Sequence, residues 1–164
     1  MSVLPRVTEL TRERIAREFD DLGPEACLAA IRADLEQHNP ELLDMASRWA
    51  AELGATRPLM TGFGMFYRLL TAEARAPLRP GALSPLPRVS HETRDLIVAR
   101  IDEVGGDVFT REAIGALAAT NPELMQMAHA FASNQRDYLR TMQGFALLHQ
   151  ALLIQSMSDL SNRH

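Results

Sequence analysis

The sequence predicts an all-α protein. It reads as a tandem duplication of an 82-residue four-helix unit, packed as a helical bundle with pseudo-two-fold symmetry. Three observations carry this. Apolar residues recur at spacings of three and four, and no segment alternates as a half-buried strand would. Capping residues and glycines punctuate those runs where helices start and stop. The chain also repeats itself: residues 1–82 and 83–164 agree at 23 of 82 positions without a gap. Unrelated sequences of average composition would share roughly five or six.

The repeat is easiest to see at its anchors. Ser2, Leu4, Pro5, Arg6 and Val7 return as Ser84, Leu86, Pro87, Arg88 and Val89. Asn39-Pro-Glu-Leu42 returns as Asn121-Pro-Glu-Leu124, and Met60, Gly62 and Phe63 return as Met142, Gly144 and Phe145. A duplicated unit of this size suggests a homodimer fused into one chain, because two-fold dimers are the commonest oligomers. The first unit is then 1–82 and the second 83–164.

Each element follows in order. The first helix is expected over 8–22 and 91–104, with Thr8 and Ser90 as N-caps. Leu10, Ile15, Phe19 and Leu22 line it in one copy, and Ile97, Ile101 and Val104 in the other. Gly23 and Gly105 end it, and a left-handed cap is expected there. The second helix opens at Pro24 and spans 24–38, with Cys27, Leu28, Ile31 and Leu35 on one face. Its counterpart is expected later, over 111–120, with Thr110 as N-cap after a Gly105-Gly106-Asp107 loop. The third helix spans 40–53 and 122–133. Asn39 and Asn121 cap it, proline takes its first position, and Glu41 and Glu123 face the positive end of its dipole. The fourth spans 57–75 and 135–159. Pro77, Pro80, Pro85 and Pro87 make 76–89 a stiff connector through which no helix runs.

Composition narrows the function classes. All 17 Lys+Arg positions are arginine, against 21 acids, for a net charge of −4. The arginines are scattered among acids, so a nucleic-acid footprint is not expected. The segment Thr110 to Leu124 has a superficial helix-turn-helix look, and a DNA-binding regulator is an alternative reading. Pro122 and the lack of basic residues before Arg136 weigh against it. Cys27 is the single cysteine, which excludes an intrachain disulfide and a thiolate metal cluster. The first residues lack an apolar signal core, and Gly144 to Ile154 is shorter than the ~20 residues of a membrane span. A cytoplasmic location is the expectation.

No catalytic, cofactor-binding or metal-ligating set emerges. None of the five histidines, His38, His91, His129, His149 and His164, takes part in the His-x-x-x-His or Glu-x-x-His spacing that sets two ligands on one helical face, although His129, His149 and Tyr138 would form a site if they converged. Cys27 has only small or apolar helical neighbours and reads as core. Gly62 and Gly144 hold in both copies despite glycine's cost of ~1 kcal/mol in a helix, so they read as points of close helix approach. Arg12 and Arg94 also hold in both copies. Each is expected to pair with a glutamate of its own half, Glu41 or Glu123. The rival reading is an arginine pair binding an anion between the halves.

These features predict a non-enzymatic helical protein that acts through protein–protein contact, as a regulator or adaptor. An alternative is a small-molecule-binding protein with an apolar or anionic ligand held between the repeats. Candidate contact residues are Arg12, Arg94, Phe63, Phe66, Tyr67, Phe145, Leu148, His149 and His129. A protein partner or self-association is expected, and neither nucleic acid nor membrane.

Overall fold

The helix boundaries follow from their caps. A computed structural model of the chain describes residues 7–75 and 86–161. Among these lie eight α-helices and no strand: α1 (Glu9–Leu22), α2 (Pro24–His38), α3 (Pro40–Leu53), α4 (Thr56–Arg75), α5 (His91–Val104), α6 (Gly106–Thr120), α7 (Pro122–Ser133) and α8 (Tyr138–Ser161). The leader at 2–6, most of the 76–89 connector and His164 lie outside the described residues. Thr8 Oγ1 accepts from the Thr11 backbone N–H at 3.3 Å, and Ser90 Oγ from Thr93 at 3.1 Å, as the N-cap reading requires.

Gly23 and Gly105 do stop their helices, but not in the left-handed helical conformation expected. Their φ of 86° and 87° is joined to a ψ of 148° and 154°. That region is open essentially to glycine alone. Each glycine thus caps the end of one helix and the start of the next. The same geometry corrects the expected start of the sixth helix. It begins at Gly106, not at 111, because Gly105 redirects the chain at once. Thr110 is no N-cap: its hydroxyl donates to the Gly106 carbonyl at 2.7 Å, inside the helix. The eighth helix starts at Tyr138, three residues after the expected 135.

α1, α2 and α3 pack on α4, and α5, α6 and α7 pack on α8. α4 and α8 then pack on one another, and their buried side chains join one continuous core. Glycine permits this approach. A Cβ on Gly62 would stand 2.0 Å from the Thr141 carbonyl oxygen, and one on Gly144 would stand 2.1 Å from that of Leu59. Backbone therefore meets backbone at the centre. Phe66 stacks on Phe145 there, ring centroids 5.4 Å apart.

Polar contacts dock the outer helices. The Thr8 N–H and hydroxyl both donate to Glu73 Oε2, at 3.1 and 3.0 Å, tying the start of α1 to the end of α4. Ser90 N–H and the Thr93 hydroxyl donate to Gln155 Oε1, at 3.0 and 2.6 Å, tying α5 to α8. Arg68 and Glu18 form a two-pronged ion pair between α4 and α1, at 2.9 and 3.2 Å. The two expected asparagine caps behave differently. Asn121 Oδ1 accepts from Leu124 N–H at 3.4 Å. Asn39 is buried and makes no cap bond. It donates to the Pro87 carbonyl and accepts from Val89 N–H, both at 2.9 Å, and so holds the approach to α5.

Candidate functional site

Arg12 and Arg94 occupy matching places on α1 and α5, yet their surroundings differ. The Arg94 guanidinium bonds the Glu41 carboxylate, with Asp44 at 3.5 Å and Asp95 at 3.2 Å. His91 Nδ1 lies 3.2 Å from the same Glu41 carboxylate. The partner type matches the expectation, but the half does not: Glu41 belongs to the first half and Arg94 to the second. The cause is packing. α3 lies against α5, so the carboxylates of α3 are the ones within reach. Between α3 and α5 a cavity of about 20 Å³ lies among residues that include Met45, Trp49, Val98 and Ile101.

Around Arg12 the surface is open instead. Among the described residues, no Cα of α1 comes within 8 Å of one in α7. A groove of about 450 Å³ lies between them. Met65, Leu69 and Phe145 form its buried floor, Arg12 and Ala16 one wall, and Met127 and Phe131 the other. Glu9 and Glu13 stand exposed at the rim. Arg12 Nε is buried and makes no hydrogen bond among the described residues. Glu123, the counterpart of Glu41, is engaged in another interaction. Asp44 has Gln126 as its counterpart, which removes one carboxylate from this side. Ala16 stands where the closed side has Val98, and Phe131 where it has Trp49. Smaller side chains and a missing ion pair leave the space unfilled.

The other sequence candidates fall elsewhere. Phe63, Phe66, Tyr67 and Leu148 are all buried, Phe66 against Phe145 of α8 and Tyr67 against Asp34 of α2, so none of these side chains is left exposed for a partner. His149 is also buried, stacked on Phe66 with centroids 6.3 Å apart. Its Nε2 lies 3.3 Å from the Thr120 hydroxyl, and its Nδ1 is buried without a partner among the described residues. Burial pushes its pKa down to about 4, so the ring is neutral at pH 7. His129 is exposed, with Nδ1 2.6 Å from the Tyr138 hydroxyl. His129 and Tyr138 meet, but His149 does not join them. Among the described residues, no group of three or more His, Cys, Asp or Glu is placed to hold a metal.

A second cleft of about 240 Å³ lies within the first half, between α1, α2 and α4. The Tyr67 hydroxyl donates to Asp34 Oδ2 there at 2.7 Å, and the Arg68–Glu18 pair lies beside it. Cys27 also lines it, but burial, with the Glu18 charge, raises the thiol pKa and keeps it protonated. This matches the core reading of Cys27. The groove therefore holds two of the sequence candidates, Arg12 and Phe145. Three of its other lining residues differ from the residue 82 positions away: Ala16 against Val98, Phe131 against Trp49 and Gln126 against Asp44.

No family model, curated protein or solved structure matches the chain. Among the described residues, no helix is long and apolar enough to cross a membrane.

Proposed function

We propose that this chain is a helical binding protein that holds a small, largely apolar molecule in the groove between α1–α4 and α7–α8. The observation that carries the reading is the unequal pair of grooves: about 450 Å³ open on one side, about 20 Å³ on the other. Sites for small molecules span ~300–1,000 Å³, are mostly apolar, and carry a few placed polar groups. Methionine at two lining positions, Met65 and Met127, suits a pocket that adapts its shape. This reading is preferred to a protein adaptor, because the α4 and α8 faces that would have served a partner are turned on each other.

We also propose that the chain arose as a fused dimer. Supporting this, α1, α2, α3 and α4 each begin 82 residues before α5, α6, α7 and α8. The central contacts are reciprocal as well: Gly62 faces Thr141 and Gly144 faces Leu59, the same two positions of the unit exchanged. Binding would then be the role of one of two ancestral grooves, the other having been filled.

The test is to copy the closed side onto the open one. Ala16→Val with Phe131→Trp should remove binding of n-octanol, followed by calorimetry on the intact chain, while the fold persists by circular dichroism. Failure of the unmodified chain to bind n-octanol, or binding that survives the double substitution, counts against the reading.

A further inference from the structure

We infer that the groove takes a medium-chain monocarboxylic acid, with the carboxylate bonded by Arg12 and the chain lying over Met65, Leu69 and Phe145. The inference rests on the binding reading above and adds the chemical class of the ligand. Its starting point is the built-in comparison between Arg94 and Arg12. Arg94 shows what this position of the unit bonds when satisfied: the Glu41 carboxylate, with Asp44 beside it. Arg12 has the same place on its helix, a buried Nε with no hydrogen bond among the described residues, and Gln126 where Asp44 would be. A guanidinium is a rigid fork of donors that fits a carboxylate, and it stays charged at any physiological pH. A buried donor left unmade is unfavourable, so a ligand that fills it gains more than one that does not.

Three further features set the rest of the molecule. The space beyond Arg12 is lined by apolar side chains, so the body of the ligand is apolar. At roughly 30 Å³ for a water-sized group, 450 Å³ holds on the order of ten to fifteen non-hydrogen atoms. That fits an eight- to twelve-carbon acid and excludes a nucleotide with its polar sugar and phosphates. Glu9 and Glu13 are exposed at the rim, where water screens them, whereas Arg12 Nε lies in the lower-dielectric interior. The inner cation therefore decides the sign of the bound headgroup. The rim carboxylates disfavour a second negative charge, which selects a monoacid over a diacid.

The experiment is calorimetric titration of the whole chain with sodium octanoate and with n-octanol at pH 7. Octanoate should bind about tenfold more tightly than n-octanol, the lower end of what a charged hydrogen bond contributes. Arg12→Gln should reduce octanoate to the affinity of n-octanol and leave n-octanol within a few-fold. Gln126→Asp changes an exposed residue and restores the carboxylate that the closed side has. It should weaken octanoate about tenfold more than it weakens n-octanol, and it serves as the deciding variant if Arg12→Gln does not fold. Equal binding of octanoate and n-octanol by the unmodified chain overturns the inference and leaves the groove reading standing. So does a preference for octanoate that survives both substitutions. Binding of neither probe overturns both.

Discussion

His149 is the residue whose environment makes the sharpest claim about pH. Its pKa lies at about 4 in the folded chain and near 6.5 when exposed. Between those values the unfolded chain binds a proton that the folded chain refuses, so stability must fall as pH drops from 6.5 to about 4. The loss is roughly 3 kcal/mol at 1.36 kcal/mol per pH unit, and it levels off below pH 4. His149→Phe should flatten that part of a denaturant-midpoint-versus-pH curve. A slope that persists in the variant would place the titration on another group. Glu73 acts in a separate, lower window. Burial raises its pKa, hydrogen bonds from Thr11 and Thr8 more than offset this, and its lowered carboxyl releases stability only as it protonates at still lower pH. Asparagine gives a second residue-scale test. Asn39→Ala strands the buried Val89 N–H and should cost about 1–3 kcal/mol, whereas Asn121→Ala removes only a long cap bond and should cost about 1 kcal/mol or less. Equal losses in thermal melts would deny Asn39 its tethering role. Both residues are legible as caps in the sequence. The partner of Asn39 is not, because Pro87 and Val89 lie some fifty positions away and only the fold brings them near.

At the scale of helices, glycine makes the most selective prediction. Gly62→Ala and Gly144→Ala each place a methyl about 2 Å from a carbonyl oxygen that cannot move without its helix. Each should cost more than ~3 kcal/mol, beyond the range of ordinary overpacking. Gly115, in α6, has nothing within 4 Å of the same added methyl. Gly115→Ala should stabilise by about 0.5–1 kcal/mol through helix propensity. Three melts decide it, and a mild effect at Gly62 would mean the central helices have room to separate. Close approach at these two central glycines is legible in the sequence, since a residue that weakens a helix stands at both of two positions 82 residues apart. The start of α6 was less legible. Glycine at 105 and 106 looks like loop in a linear reading, and Thr110 looks like a cap. The packed helix instead satisfies Thr110 through its own Gly106 carbonyl.

For the whole molecule, the decisive feature is that both halves share one core. α4 packs on α8, and Phe66 on α4 stacks on Phe145 and His149 of the second half. A unit of 82 residues is also near the size at which a single core is marginal. Residues 1–82 expressed alone should therefore self-associate through α4, as a dimer by light scattering. A monomer with a cooperative melt would show that each half is self-sufficient. The all-helical class was legible from spacing and caps. The open groove was not, because it depends on α1 and α7 standing apart, and that separation is a property of the assembled bundle rather than of any one segment.

The contact between α4 and α8 has a consequence for motion. Two helices that meet through backbone cannot slide or rotate without a clash, so their amides should be the last to exchange with deuterium, opening only with the whole chain. The groove therefore has a fixed floor, made by α4 and α8, between two outer walls. The α1 wall is held to α4 at Thr8–Glu73 and Arg68–Glu18, and no Cα of it comes within 8 Å of one in α7. Breathing of α1 alone would admit a ligand, on the microsecond-to-millisecond scale of such element motions, while the centre of the protein stays still.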